Sequence, residues 1–234
     1  MSRQGALALG LDPEPLFANF IAEGNEESLY ALQRAAGTEN GAFLSLWGAA
    51  GTGKSHLLQA CCRLAVEKQR RAVYLALENI IEYGPESLEG FETTQLVCLD
   101  ELDVIVGRPQ WQEALHHLYN AIKQASGVLI TASRIPPREL VLDLPDLKSR
   151  LGWGPCFHIQ PLSDKGKRFA LQQQALDRGM QLSEESANYL INRCSRDMHQ
   201  LVALLAQLDR DSLAEQRRLS IPFIRQRLEN LGPT

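Results

Sequence analysis

Five short apolar runs punctuate the first two thirds of the chain, at 42–47, 72–77, 95–99, 128–132 and, more weakly, 156–159. Each is continuous rather than alternating, so the strand it predicts is covered on both faces, as in a parallel sheet. Helix-length stretches lie between them, clearest at 55–69 and 110–125. This alternation predicts a doubly wound α/β sandwich, a five-stranded parallel sheet with helices on both faces. Upstream, Leu29, Leu32, Ala35 and Ala36 recur at helical spacing and predict a helix over 16–36, ended by the break at 37–41. Beyond Pro161 the strand signal stops and four helices are predicted, at 163–178, 183–194, 198–214 and 221–231. In the third, Leu201, Leu204, Leu205 and Leu208 form one apolar face. The chain therefore reads as an arm over 1–14, broken up by Gly5, Gly10 and Pro13, an α/β core over 15–161 and an all-α lid over 162–234.

The turn after the first run carries the chemistry. Gly48, Ala49, Ala50, Gly51, Thr52, Gly53, Lys54 and Ser55 satisfy G-x-x-x-x-G-K-[ST] between a predicted strand and a predicted helix, the context that phosphate binding requires. Glycines let successive amides face a phosphate, and the helix start adds its positive dipole end. Lys54 supplies a charge to β/γ oxygens and Ser55 a hydroxyl to Mg²⁺.

The third run ends in Asp100 and Glu101, at the carboxyl edge of the sheet where ligands of open α/β folds sit. Asp100 is expected to hold Mg²⁺ through water, and Glu101 to polarise an attacking water. Thr131 and Ser133, after the fourth run, lie where a hydroxyl reaches a γ-phosphate or simply closes a turn. Two arginines stand apart. Arg150 precedes the last strand, where it either points outward to a neighbouring subunit or pairs with Asp146. Arg196 opens the third lid helix, folded over phosphates or simply solvated.

Composition narrows the class. A 234-residue chain with 44% hydrophobic and 22% charged residues folds as an ordinary globular protein. A formal net charge of −4 argues against bulk neutralisation of nucleic-acid phosphates, so no direct sequence-specific DNA binding is expected. Five cysteines, odd in number and without C-x-x-C spacing, read as reduced thiols of the cytosol. No apolar run approaches the roughly 18 residues of a membrane span, and no basic-then-apolar leader opens the chain, so a cytoplasmic protein without membrane contact is expected.

On these residues the chain resembles the AAA+ module of the DnaA family of bacterial initiators, and more closely its short Hda-type relatives, which inactivate DnaA. The stretches that carry the likeness are 46–61, 118–120, 144–154 and 216–223, spread over nearly the whole length. The phosphate loop and acidic pair are common to the AAA+ superfamily, whereas 144–154 is typical of DnaA and its relatives. The resemblance implies an AAA+ P-loop core with a helical lid that holds ADP or ATP with Mg²⁺. It implies that Phe20 and Ile21 border the adenine, that the loop through His56 cradles the phosphates, that Ser133 is the sensor-1 residue and that Arg196 is the sensor-2 arginine. It implies that Arg150 is an arginine finger presented in trans to the ATP of DnaA, so that DnaA hydrolyses it and initiation stops.

It also implies an N-terminal peptide that docks on the DNA-loaded sliding clamp, the beta subunit of DNA polymerase III. Leu7, Leu9 and Leu11 keep the alternation of that peptide, but Ala6 stands in place of its glutamine and Gln4 lies two residues early. Several relatives have degenerate phosphate loops and work with bound ADP, whereas this chain has Lys54, Asp100 and Glu101 complete, so both ADP retention and its own hydrolysis stay open. The helix-turn-helix DNA-reading domain of DnaA is expected to be absent. A homodimer through the Arg150 face is compatible with the pattern. The alternative function is a stand-alone AAA+ ATPase of helicase-loader type.

Overall fold

The computed structural model describes residues 15–38, 40–194, 197–215 and 217–231. The described chain packs as two units, Pro15–Pro161 and a second from Leu162 onward. The first is built on strands β1 (Phe43–Trp47), β2 (Ala72–Ala76), β3 (Leu96–Asp100), β4 (Val128–Ser133) and β5 (Cys156–His158). All pair in parallel, in the order β2-β3-β4-β1-β5. The five apolar runs predict this parallel sheet, and the resemblance implies its AAA+ arrangement. β3 and β4 are buried at every position, which is why their hydrophobicity is continuous rather than alternating.

Alternate residues of the sheet serve opposite layers. Leu96 and Cys98 of β3 pack with α1 (Glu26–Gly37) and α2 (Lys54–Glu67) through Leu32, Ala36, Leu57 and Leu58. Val97 and Leu99 pack on the other face with Leu77 of the short α3 (Leu77–Ile80), Leu115 and Ile122 of α4 (Pro109–Gln124), and Leu147 and Leu151 of α5 (Pro145–Leu151). The register Ala76↔Asp100 and Trp47↔Ser133 aligns the carboxyl ends of four strands at one edge of the sheet.

Besides the one-turn helix α3, two elements differ from the sequence pattern. The helix predicted over 16–36 begins only at Glu26; before it stand a 3₁₀ turn, Phe17–Asn19, and an irregular segment. That segment is tied down by side chains that helix periodicity does not register. Asn25 accepts the Gln160 amide at 2.8 Å and donates to the Gln160 carbonyl at 3.2 Å, beyond the end of β5, and Gly24 at φ +80° turns the chain. The second difference is α5, which has no counterpart among the predicted helices. At seven residues it is too short for a 3.6-residue period to stand out, although Pro145 sits in its first turn, as favoured there.

The second unit consists of α6 (Asp164–Asp177), α7 (Glu184–Arg193), α8 (Met198–Glu215) and α9 (Ile221–Leu231). They close around Leu171, Leu190, Leu201, Leu205, Leu208 and Phe223, with Leu204 packed at the edge of the cluster. Ser163 and Ser183 cap α6 and α7 by accepting the amides of Gly166 and Ser186, each at 3.1 Å. Among the described residues no helix is long and apolar enough to cross a membrane.

Candidate functional site

The phosphate loop leaves β1 and winds through three glycines at positive φ, of which two are forced. At Gly48 (φ +152°) a Cβ would lie 2.7 Å from the Ile159 carbonyl, and at Gly53 (φ +92°) it would lie 2.7 Å from the Phe20 ring. Inside the loop, Lys54 Nζ donates to the carbonyls of Gly48 at 2.7 Å and Ala49 at 2.8 Å, and Thr52 Oγ1 donates to Ala49 at 3.0 Å. Burial pushes the Lys54 ammonium below its usual pKa, while the carboxylates of Asp100, Asp103 and Glu101 act in the opposite sense. The first hydrogen bond of α2 runs from Leu57 N–H to Gly53 at 3.0 Å, so the amides before it open toward the loop.

The residues expected at the base lie against the start of α2. His56 Nε2 donates to the Leu16 carbonyl at 2.9 Å, which fixes its tautomer, and burial lowers its pKa, keeping the ring neutral. The Phe20 ring sits 5.8 Å from the His56 ring and covers Gly53; Ile21 is half-buried beside it in the chain. The irregular segment before α1 is thus a strap across the loop, and a helix there would carry Phe20 elsewhere.

At the acidic end, Asp100 is 2% exposed and both its oxygens are engaged. Oδ1 accepts the Glu101 amide and Oδ2 accepts the Tyr74 phenol, each at 2.9 Å. Glu101 adopts a left-handed conformation, φ +58°, of the kind that side chains other than glycine take up mainly where structure over-determines it. Burial, a hydrogen bond to the Glu78 carboxyl and the charges of Glu78 and Asp100 raise its pKa to about 7. In this arrangement the candidate base is partly protonated near neutrality.

On β4 both candidate hydroxyls are buried and occupied. Thr131 shares a hydrogen bond with Ser45 at 3.0 Å, and Ser133 donates to the Ile135 carbonyl at 2.6 Å. The exposed group at this strand end is the next residue, Arg134, whose amide is held by Asp103 at 2.8 Å and whose charge acts on Lys54.

Arg150 lies on α5, a quarter exposed. Its Nε donates to Asp146 at 2.9 Å, its Nη1 donates to Asn120 of α4, and its guanidinium lies 5.6 Å from the centre of the Tyr119 ring. Asp146 also accepts His116 Nε2 at 2.8 Å, and chiefly this contact, then Arg150, holds its carboxyl below the ordinary range. The ion pair with Asp146 is therefore formed, on the surface and between flexible side chains, rather than in the core. Trp153, whose amide bonds back to the Arg150 carbonyl at 3.2 Å, is 78% exposed with Lys123 5.0 Å over its ring.

Arg196, Leu7, Leu9 and Leu11 lie outside the described residues. The structure thus brings together Phe20, the loop, His56, Asp100, Glu101 and Ser133, and sets Arg150 apart on α5. It adds Tyr74, Glu78, Asp103 and Arg134, for which spacing holds no signal because strand order decides which chain ends meet. Among the described residues no cluster of three His, Cys, Asp or Glu side chains is placed to hold a metal, and the five cysteines are free.

Comparison with known proteins gives this geometry a lineage. Residues 11–158 match the model of the bacterial DnaA ATPase domain, and residues 164–228 match the lid domain of Hda. Domain III of the Thermotoga maritima replication initiation protein DnaA superposes with a TM-score of 0.78 at 20% identity, covering 94% of this chain and 98% of that one. AMPPCP-bound DnaA from Aquifex aeolicus gives 0.66 at 23% identity over 85% of this chain and 66% of that one, and the Aeropyrum pernix Orc1 protein in complex with DNA gives 0.69 at 15% over 97% and 68%. The chain belongs to the bacterial DnaA ATPase domain family, as an AAA+ protein whose helical lid is of the Hda kind.

Proposed function

We propose that this chain is a nucleotide-bound negative regulator of replication initiation that, with the DNA-loaded sliding clamp, stimulates hydrolysis of ATP on DnaA through Arg150. The observation that carries the reading is the pairing of a DnaA-type core with an Hda-type lid in one chain. The phosphate loop fits a polyphosphate: main-chain amides, the Lys54 ammonium and the start of α2 all offer positive potential at one place. Lys54 now spends its hydrogen bonds on Gly48 and Ala49 carbonyls, partners that phosphate oxygens replace. Ser55 and the buried Asp100 would hold Mg²⁺, and the ion would supply charge neutralisation to a bound polyphosphate.

Arg150 is suited to action on another molecule's nucleotide. It sits on a different helix from the loop, and its partners Asp146 and Asn120 are side chains that a phosphate displaces from a guanidinium without breaking backbone structure. An arginine supplied in trans contributes roughly 10³ to 10⁵ in rate in related phosphoryl transfers. Leu7, Leu9 and Leu11 fit an extended peptide in an apolar groove of the clamp. The direct test is single-turnover conversion of DnaA-bound ATP to ADP on clamp-loaded DNA, with and without this protein; unchanged conversion rejects the proposal.

The complete Asp100–Glu101 pair favours a second reading, a helicase-loader type of ATPase with its own turnover. Against it, the Glu101 carboxyl is turned to Glu78 in the nucleotide-free chain and, with a pKa raised to about 7, is partly protonated near neutrality, so only part of it is available as a base. Steady-state ATP hydrolysis by this protein alone, together with binding to a replicative helicase and single-stranded DNA, supports the loader; their absence supports the regulator.

A further inference from the structure

Tyr74 occupies the middle of β2, paired in register with Cys98 of β3, and packs its ring among residues of the α1 and α2 layer. Its phenol faces a carboxylate from the neighbouring strand. It donates to Asp100 Oδ2 at 2.9 Å. Ser55 and Gln59, one turn apart on α2, bear on the same phenol in the sense that lowers its pKa. Asp100 has no other side-chain hydrogen bond among the described residues; its Oδ1 is held by the Glu101 amide. A carboxylate 2% exposed needs such partners, because desolvation without them is costly. Burial and the nearby Asp100 charge push the phenol far above its ordinary pKa, so it stays a neutral donor throughout the physiological range.

We infer that Tyr74 is a positioning residue for the divalent cation, locking the rotamer of the Asp100 carboxylate in advance of the metal. The inference rests on the nucleotide reading above and deepens it. It assigns metal affinity to a residue outside both sequence motifs. Outer partners that orient ligands of a metal are typically worth about 10- to 100-fold in its affinity, and the phenol supplies the side-chain hydrogen bond of the Asp100 carboxylate.

The test is Tyr74→Phe in the full chain, with ADP affinity measured by calorimetry in EDTA and across a Mg²⁺ titration. The expected result is metal-free ADP affinity within about twofold of the parent and a Mg²⁺ midpoint raised about tenfold. In a background of Asp100→Asn the same change adds less than about twofold, because the phenol acts through that carboxylate. An unchanged midpoint overturns the inference, and so does a parallel fall of metal-free and Mg²⁺-dependent affinity, which marks Tyr74 as a packing residue. Full additivity with Asp100→Asn overturns it as well. A parent protein that binds no ADP under any condition sinks the nucleotide reading itself, a failure distinct from the other three.

Discussion

At the scale of single residues, the site is governed by which charged groups are starved of water. Glu101 illustrates the sign of the effect. Its folded pKa, about 7, lies above the ordinary carboxyl value, so between roughly pH 4.5 and 7 the folded chain binds more protons than the unfolded one. Stability therefore falls as pH rises through that window. Glu101→Gln removes the titration, and the melting temperature of the nucleotide-free protein then declines less between pH 5 and 8 than that of the parent; equal slopes contradict the raised pKa of Glu101. Gly53 tests the opposite wall of the site. Gly53→Ala forces a side chain at φ +92° and pushes the Phe20 ring away, at about 1–2 kcal/mol for the backbone alone. The chain still folds, since a ring can move where a backbone cannot, but ADP affinity drops at least tenfold by calorimetry. Full affinity in that variant means that Phe20 does not border the base.

At the scale of elements, the carboxyl edge of the sheet gathers the loop and the acidic pair proposed to handle phosphate. β1 delivers the loop, β3 delivers Asp100 and Glu101, β4 delivers Ser133 and Arg134, and β2 delivers Tyr74 from within and Glu78 just beyond its end. The packed pair of α4 and α5 forms a separate station that holds Arg150 between Asn120 and Asp146. Asp146→Ala loosens that hold. Stimulated hydrolysis on DnaA then rises, severalfold at most because an ion pair of an exposed carboxylate is weak, while ADP affinity of this protein stays the same. Lower stimulation assigns Asp146 to aiming the arginine rather than restraining it.

The same elements explain how far the sequence is readable. Continuous apolar runs identify all five strands, most plainly β3 and β4, where burial on both faces leaves no polar alternation to blur them. The loop and acidic pair are legible because their residue types are adjacent in the chain. The strap at Phe20 and the helix α5 are not, for the first is fixed by Asn25 and His56 contacts to distant backbone and the second spans barely two turns. Tyr74 and Glu78 stay hidden in one dimension, because only the pairing of β2 with β3 brings them to Asp100 and Glu101.

At the scale of the whole molecule, a DnaA-type core and an Hda-type lid occur together in one chain with a formal net charge of −4. That combination suits a protein whose target is another nucleotide-bound protein rather than nucleic acid. If the leucine peptide recruits it to DNA, then replacing Leu7, Leu9 and Leu11 by alanine abolishes clamp binding in a pull-down yet leaves ADP affinity within about twofold; retained binding removes the clamp from the account. The central claim is that the guanidinium on α5 works on a nucleotide its own chain does not hold. The most direct measurement is the single-turnover rate at which DnaA converts its bound ATP to ADP on clamp-loaded DNA, comparing parent protein with Arg150→Ala at equal ADP occupancy. The account predicts strong acceleration by the parent and a loss of about a thousandfold or more of that acceleration in the variant, with its clamp binding intact. Equal acceleration by both proteins contradicts it.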